Sequence, residues 1–411
     1  MKILIYGNAP YVGTGYGVQI GHLCRLLKAA GHDVAVACSY GHAATVRQWP
    51  TEHGNVTLYP QGLQQNSLDV LEAHALHFFG GDPQGGTVIV VTDMFAMLSV
   101  AETLRKFRVI AWTPVDHWPC PPEVLRFFHE SGALPVAMSQ YGQRQLTEAG
   151  LPAQYVPLAV DTAVYRPTET VTIDGQEVTG RELFNVPESA KFVVAMVAMN
   201  KDPWDRKNFN GAFRAFGRFW REHPDAFLVV HSDARGTWGS GIDLRELAKH
   251  AAIPPHAITF SEPYALLYGL PAEHMAALYT CADVLLCPSK GEGFGVPMIE
   301  AQACGTPVIA SDFTSQSELV GAGWKVSGQL EWDQFQAASY LTPNTQEIFD
   351  RLMDAYRFAP YRSAPYRDKA EDWAANDAAQ LIAEAAGDHA DNRSAAVLAM
   401  IQEQTFGVML N

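Results

Sequence analysis

The sequence predicts an α/β protein built from two domains, each with a parallel β-sheet. Short apolar runs rich in β-branched residues alternate with helix-length amphipathic stretches, which is the pattern of strand–helix–strand units. This pattern runs through the first half, stops over residues 167–187 and then starts again. A length of 411 residues also suits two domains, because one domain commonly holds roughly 100–200 residues.

The composition argues against several classes of protein. The chain has 29 Lys and Arg against 44 Asp and Glu, and its net charge of −15 disfavours general binding to nucleic acid or to anionic membranes. The longest wholly apolar run, residues 192–199, is far shorter than the roughly 20 residues of a membrane span. We therefore expect no signal peptide and at most peripheral membrane contact. Six scattered cysteines without a Cys-x-x-Cys pair indicate reduced thiols and a cytoplasmic protein.

The elements of the first half follow in regular order. Residues 2–6 form the first predicted strand, and a glycine-rich loop leads into a helix with apolar residues at helical spacing that ends at Gly31. Ser139 has the position of an N-cap for a helix that runs to about Ala149. The other strands of this half are predicted at residues 33–38, 87–91, 109–113 and 134–138.

The second half repeats this architecture. Its strands are predicted at residues 191–199, 226–230, 282–286 and 307–310. After about Pro343 the sequence becomes helical and polar. We predict a first domain over residues 1–167, a linker over 168–187, a second domain over 188–365 and a C-terminal helical segment over 366–411. Two such domains would place a ligand cleft between the carboxyl ends of their strands.

The most informative segment, residues 288–312, lies between two predicted strands. Its glycines permit a tight turn, and Pro297 is well placed in the first turn of the helix that follows. The free amides at such a helix start attract an anion. Glu292 precedes the helix and Glu300 lies about one turn inside it, so both carboxylates can face one cleft. Carboxylates in this position suit the hydroxyls of a sugar or a ribose.

Here the sequence resembles the retaining nucleotide-sugar glycosyltransferases of glycosyltransferase family 4. Their signature has two glutamates separated by seven residues, as in Glu-Gly-Phe-Gly-x-Pro-x-x-Glu-Ala at residues 292–301. The resemblance implies the GT-B fold, with two Rossmann-like domains facing across a cleft and a C-terminal helix that crosses back to the first. It also implies that Glu300 binds the donor ribose and that Glu292 contacts the transferred sugar. Four neighbouring residues would lie near the donor phosphates and sugar: Gly293, Phe294, Gly295 and Val296.

A basic segment, residues 200–208, follows the first strand of the second domain. Cations at this strand end would stabilise the negative charge that develops on a leaving diphosphate. Many members of the resembled family have an Arg followed six positions later by a Lys, and the matching residues here are Lys201 and Lys207. Lysine keeps the charge but loses the bidentate geometry of arginine, so Arg206 is an alternative to Lys201. A solvated basic turn is the structural alternative for the segment.

The glycine-rich loop after the first strand is a weaker signal, because glycines also form plain turns. In the resembled family this loop lies over the cleft, and its backbone contacts the diphosphate or the acceptor. The resemblance therefore places Gly13 and Gly15 near the donor.

Residues 111–119 follow a strand of the first domain and contain Asp116 and His117. Members of the resembled family often have a His here that approaches the transferred sugar, and a subset has Pro-Val-Asp at this point. The sequence leaves open which of the two side chains faces the sugar, and a loop-capping role for His117 is the structural alternative. The candidate catalytic residues are therefore Glu292, Lys207, Asp116 and His117.

Motifs and resemblance together predict a retaining, hexosyltransferase-like enzyme that moves a sugar from a nucleotide diphosphate sugar to an acceptor hydroxyl. UDP or GDP is the expected nucleotide, and no cofactor is expected. No Asp-x-Asp occurs in the chain, which argues against a metal held at the diphosphate by that motif. Front-face attack and a covalent intermediate both stay open. The alternative functions are a non-catalytic sugar-binding scaffold and an enzyme for a specialised acceptor such as a hydroxylated DNA base, against which the net charge counts.

Overall fold

The computed structural model describes residues 1–237 and 239–359 of the chain. They form two compact units. The first comprises Met1–Ala159 with Asp333–Ala338, and the second comprises Val160–Trp332 with residues 339–359. The predicted C-terminal helical segment, residues 366–411, lies outside the described residues. The predicted α/β fold with parallel sheets is confirmed in both units.

The first unit contains one eight-stranded sheet. Its strands are β1 (Lys2–Asn8), β2 (Asp33–Tyr40), β3 (Arg47–Trp49), β4 (Val56–Tyr59), β5 (Gly86–Val91), β6 (Arg108–Thr113), β7 (Leu134–Ala137) and β8 (Gln154–Tyr155). The order is β3-β4-β2-β1-β5-β6-β7-β8, and every pair is parallel except β3 with β4. The inner strand β5 is buried along its whole length, which explains the run of four β-branched apolar residues at its end, 88–91. The edge strands β3 and β8 are too short to leave a periodic pattern, and the sequence did not predict them.

The helices of the first unit fill the connections between these strands. They are α1 (Gly15–Ala29), α2 (Leu68–Phe79), α3 (Ala101–Leu104), α4 (Pro122–Ser131) and α5 (Gln140–Glu148), with 3₁₀ turns at Gln65–Ser67 and Met94–Val100. The predicted N-cap of α5 is confirmed, because the Ser139 hydroxyl accepts a hydrogen bond from the Gly142 amide at 3.0 Å.

The second unit contains a six-stranded parallel sheet. Its strands are β11 (Phe192–Val197), β12 (Ala226–His231), β13 (Ile258–Phe260), β14 (Val284–Cys287), β15 (Val308–Ser311) and β16 (Gly323–Val326), in the order β13-β12-β11-β14-β15-β16. The order reverses between β11 and β14, so the loops after these two neighbouring strands lead away in opposite directions. Such a reversal is where open α/β sheets bind ligands.

The remaining elements of the second unit surround this sheet. They are α6 (Gly180–Leu183), α7 (Phe209–Glu222), α8 (Leu244–His250), α9 (Pro263–Tyr268), α10 (Ala272–Cys281), α11 (Val296–Ala303), α12 (Thr314–Leu319) and α13 (Thr345–Phe358), with a 3₁₀ turn at Pro255–Ala257. Helix α7 packs on the sheet through four buried phenylalanines spaced three or four residues apart: Phe209, Phe213, Phe216 and Phe219.

The segment predicted as a linker, residues 168–187, is folded. It contains the antiparallel strands β9 (Thr170–Ile173) and β10 (Gln176–Thr179) and the whole of α6. The turn between the strands uses Asp174 and Gly175, both with positive φ, as in a type I′ hairpin. Each strand has only four residues, which explains why the sequence has no clear periodicity here.

A second hairpin follows the six-stranded sheet. It consists of β17 (Gly328–Asp333) and β18 (Ala338–Pro343), and its turn, Asp333–Ala338, belongs to the first unit.

The cysteines agree with the prediction of reduced thiols. None of the six, all in the described residues, is in a disulfide, and five of them are buried. Within the described residues, no helix is both long and apolar enough to span a membrane.

Candidate functional site

The loops after β11 and β14 meet at the reversal of strand order in the second unit. The Lys290 amide donates a hydrogen bond to the Arg206 carbonyl at 2.8 Å, which joins the two loops directly. The basic segment and the first glutamate of the motif are therefore neighbours, although 85 residues separate Lys207 from Glu292.

The loop after β11 is shaped by two residues in the left-handed region, Asp205 (φ 53°) and Asn208 (φ 54°). The Asp205 carboxylate accepts hydrogen bonds from the Phe209 amide at 2.7 Å and the Asn210 amide at 2.9 Å. The N-cap Asn208 accepts from the Gly211 amide at 3.2 Å, so both side chains hold the start of α7. Arg206 and Lys207 lie between these two turn residues. Their position therefore depends on the helix cap.

Glu292 is buried and holds both cations. Its Oε1 lies 2.5 Å from Lys207 Nζ, and its Oε2 lies 3.1 Å from Arg206 Nη1. Arg206 Nη1 also donates to the Gly291 carbonyl at 2.7 Å. Burial by itself would raise the pKa of Glu292, but the charges of Lys207 and Arg206 outweigh burial and lower that pKa to about 2. Glu292 is therefore an anion at neutral pH and not a proton donor.

The loop that carries Glu292 is held in place by the segment after β15. The Glu292 amide donates to Thr314 Oγ1 at 3.1 Å, and Thr314 itself has a positive φ of 50°. The Ser315 hydroxyl lies 2.7 Å from the Glu292 carbonyl and 2.5 Å from the Phe294 carbonyl. Neither hydroxyl residue was predicted from the sequence, although both lie within three residues of Asp312, where the motif ends.

The glycine loop ends in a helix start that no side chain caps. Gly295 is the N-cap of α11 with φ 118°, a conformation that favours glycine, and Val296 is the first helical residue. Pro297 is in the first turn, as predicted. The first amides of a helix have no acceptor within the helix, so Gly293, Phe294, Gly295 and Val296 lie beside a natural anion-binding terminus.

Glu300 lies on α11 and is also buried. The Tyr279 hydroxyl donates to Glu300 Oε2 at 2.7 Å, and the Tyr165 hydroxyl forms a second hydrogen bond to the same carboxyl group. Burial raises the pKa of Glu300, and the two tyrosine hydrogen bonds offset only part of this effect. A carboxylate has about four lone-pair sites, so capacity remains to accept hydrogen bonds from two ribose hydroxyls.

Lys201 is placed differently from the other two cations. Its side chain is exposed, and its carbonyl accepts a hydrogen bond from the Ser240 amide at 3.2 Å. The ion pairs of Glu292 use Arg206 and Lys207. Arg206, which the sequence offered as the alternative, therefore takes the place beside Glu292.

The candidates of the first unit form a group of their own. His117 is buried, and its Nδ1 lies 2.7 Å from Asp116 Oδ1. A third residue, Asp333, places its Oδ2 3.4 Å from His117 Nε2. No local signal in the sequence connects Asp333 with His117, because more than 200 residues separate them.

The glycine-rich loop of the first unit leads into α1. Thr14, between the exposed residues Gly13 and Gly15, is the N-cap. Its Oγ1 accepts from the Gly17 amide at 3.1 Å and from Asn8 Nδ2 at 2.8 Å. The donor-binding role of Gly13 and Gly15 stays a prediction.

Glu292→Gln is expected to destabilise the protein most strongly above pH 4.5. The pKa of Glu292 is about 2 in the folded protein and about 4.5 in the unfolded chain. The ionised carboxylate therefore contributes its full share to the free energy of unfolding above pH 4.5, and this contribution is lost as the pH falls toward 2. The measurement is the difference in thermal unfolding midpoint between wild type and variant from pH 2.5 to 7. Glu246→Gln, at an exposed pair with Lys249, is the control. A difference that does not change with pH would contradict the prediction.

No metal centre is found in the part of the chain that the structure describes: there, no three His, Cys, Asp or Glu side chains are grouped to hold an ion. The expectation that no metal is required stays a prediction.

Solved structures define the class of fold. The chain is similar to sucrose-phosphate synthase from Thermosynechococcus elongatus, with a TM-score of 0.67 and 15% identity over 91% of this chain and 94% of that one. It is also similar to an Anabaena protein solved in complex with UDP and glucose, with a TM-score of 0.58 and 16% identity over 90% of this chain and 95% of that one. These neighbours are GT-B glycosyltransferases, so the fold is of this class.

The match to a family model lies in the second unit. Residues 196–330 match the family model of glycosyl transferases group 1. O-antigen chain mannosyltransferase B of Escherichia coli is 40% identical over 133 residues, 32% of this chain and 32% of the relative. D-inositol 3-phosphate glycosyltransferase of Corynebacterium kroppenstedtii is 35% identical over 102 residues, 24% of this chain and 21% of the relative. The chain thus matches a third or less of the length of these curated relatives.

Proposed function

We propose that the protein is a retaining glycosyltransferase that moves a sugar from a nucleotide diphosphate sugar to an acceptor hydroxyl. The observation that carries the proposal is the buried Glu292 carboxylate, in contact with Arg206 and Lys207 beside the open start of α11. This cluster lies inside the segment that matches glycosyl transferases group 1.

The charges of the cluster suit a departing diphosphate. Glu292, Arg206 and Lys207 together carry one net positive charge, and the amides at the start of α11 add a partial positive charge. Negative charge that develops on the leaving group as the glycosidic bond breaks would be stabilised here without a metal ion. The lowered pKa keeps Glu292 ionised, which suits a residue that orients cations and accepts a hydrogen bond from a sugar hydroxyl. An ionised carboxylate has no proton to give, so Glu292 does not suit the role of general acid. The acceptor proton would pass to the departing phosphate in front-face attack.

Glu300 is proposed to bind the donor ribose. Its two tyrosine partners orient the carboxyl group and leave lone pairs for hydroxyl donors. Gly293, Phe294, Gly295 and Val296 are proposed to contact the phosphates and the sugar through their backbone.

A donor panel tests the proposal. Purified protein is incubated with UDP-, GDP- and ADP-sugars and a range of hydroxyl acceptors, and released nucleotide is measured. The panel includes UDP-glucose and a mannosyl donor, because a fold neighbour holds UDP and glucose and one relative is named a mannosyltransferase. We expect release with a UDP- or GDP-sugar, and NMR of the product should give the donor's anomeric configuration. Binding of a nucleotide sugar without release over the whole panel would favour a sugar-binding scaffold, and an inverted product would contradict retention.

A cytoplasmic location and a reaction without cofactor are part of the proposal. The six cysteines, none of which is in a disulfide, support the location.

Alanine variants at Asp116 and His117 are expected to differ in severity. His117 can contact a sugar hydroxyl through Nε2. Asp116 would act indirectly, because its carboxylate accepts a hydrogen bond from His117 Nδ1 and so orients the ring. His117→Ala should therefore lower kcat/KM by about 100-fold, and Asp116→Ala should lower it less. Nucleotide release with the best donor measures both. Full activity in both variants would remove the two residues from the site.

A further inference from the structure

The His117 ring lies between two carboxylates that arrive from different parts of the chain. Asp116 contacts Nδ1 at 2.7 Å, and Asp333 Oδ2 lies 3.4 Å from Nε2. Both aspartates are about a quarter exposed, whereas the His117 side chain is 9% exposed. The ring is thus enclosed while its two partners remain accessible to water.

The hairpin turn fixes the direction of the Asp333 side chain. Asp333 Oδ1 accepts hydrogen bonds from the Phe335 amide at 2.7 Å and the Gln336 amide at 3.2 Å. The rings of Phe335 and Phe95 form a T-shaped contact, with centroids 6.3 Å apart. Because the turn uses Oδ1, Oδ2 is left to face the imidazole.

Two carboxylates around one imidazole favour a ring with a proton on each nitrogen, since each N–H then donates toward an anion. Burial by itself would lower the pKa of His117, but Asp116 and Asp333 outweigh it, and that pKa is raised. Two other titratable groups lie close to this pair. The Tyr141 hydroxyl donates to the His117 carbonyl at 2.9 Å, and Cys120 lies near Asp116. Burial raises the pKa values of both, so both are neutral.

We infer that Asp333 is a positioning residue that, with Asp116, holds His117 as an imidazolium whose Nε2–H is presented to a sugar hydroxyl. This inference rests on the proposed function. The 3.4 Å between His117 Nε2 and Asp333 Oδ2 is longer than a good N–H···O hydrogen bond, so both atoms can still form a hydrogen bond to a ligand. A hydroxyl beside it can accept from Nε2 and donate to Asp333 Oδ2, which uses both of its hydrogen-bonding roles. The ligand class is therefore a polyol or sugar hydroxyl.

The first test measures His117 itself, in the full-length protein without donor. Histidines are labelled with ¹³C, the His117 signal is assigned by its loss in His117→Gln, and its pKa is followed by NMR. Asp333→Asn should lower the pKa of His117, because it removes one negative charge while the amide oxygen can still accept the two turn hydrogen bonds. Glu331→Gln is the matched control, as its carboxylate is on the same strand and bonds to Tyr340. An unchanged His117 titration in Asp333→Asn would overturn the inference, whatever the activity.

The second test uses the donor that the panel identifies. Asp333→Asn should lower kcat/KM about tenfold, which corresponds to one charge-assisted hydrogen bond, and should move the alkaline limb of its pH profile to lower pH. Asp333→Glu should restore part of the loss, and Glu331→Gln should leave the profile unchanged. A shifted His117 titration with unchanged kinetics would overturn the role toward substrate. Absence of transfer by the wild-type protein would contradict the proposed function and leave the NMR result standing.

Discussion

Lys207→Ala is expected to lower kcat by about 100-fold or more, the loss found when one preorganised group that stabilises transition-state charge is removed. Lys207 Nζ is 2.5 Å from Glu292 Oε1, so the variant removes a cation from the proposed leaving-group site and also leaves Glu292 with Arg206 alone. The measurement is kcat from nucleotide release at saturating donor, with thermal unfolding as a check on folding.

Two further variants make this prediction specific. Lys191→Ala is the matched control, because Lys191 is an exposed lysine just before β11, whereas Lys207 follows the same strand at its other end. Lys207→Arg keeps the charge with a different geometry and should retain part of the activity. Equal kcat values for Lys207→Ala and wild type would remove Lys207 from the catalytic group.

Glu300→Ala is expected to weaken nucleotide binding by about 10- to 100-fold, the range for hydrogen bonds to a charged group. The reason is the loss of the proposed ribose contact, so the Kd of UDP or GDP should change more than kcat does. Isothermal titration calorimetry measures this Kd without any turnover. Because burial raises the pKa of Glu300, wild-type affinity should fall on acidification at a higher pH than an ordinary carboxylate would give.

The tyrosine partners supply the control for Glu300. Tyr279→Phe removes one hydrogen bond to the carboxyl group but leaves the carboxyl in place, so it should weaken nucleotide binding less than Glu300→Ala does. Glu246→Ala removes an exposed carboxylate of the same unit and should have no effect. A Glu300→Ala variant that binds UDP and GDP as wild type does would contradict the ribose assignment.

The features that the sequence predicts well are local ones, such as helix starts and buried strands. Ser139 is an N-cap three residues before the amide it binds, and Pro297 lies in the first turn of the helix it was expected to begin. The strands that precede the loops of Lys207 and Glu292 were recognised because buried parallel strands are continuous apolar runs. Each of these inferences depends on neighbours within one turn or one strand.

The sequence does not predict the contacts between residues that are far apart in the chain. Tyr279 reaches Glu300 across 21 positions, and Tyr165 comes from before the first strand of the six-stranded sheet. Asp333 meets His117 only because a hairpin turn carries it there. A single tyrosine or aspartate in a polar stretch has no pattern that distinguishes a site residue from a surface residue, so these partners were found only in the structure.

The reversal of strand order has a consequence for how such a chain can diversify. Strands β11 and β14 are adjacent, with Val194 beside Val284 and Ala195 beside Leu285. The loops that contain Lys207 and Glu292 therefore start from adjacent strands about 4.8 Å apart, whatever the length of the chain between these strands. Connections within residues 209–283 that do not touch the basic segment can lengthen or shorten without moving the cation pair. Residues 240–242 cannot, because the Ser240 amide donates to the Lys201 carbonyl and the Asn200 side-chain amide donates to the Ile242 carbonyl. The charged cluster can thus stay the same while those connections diversify.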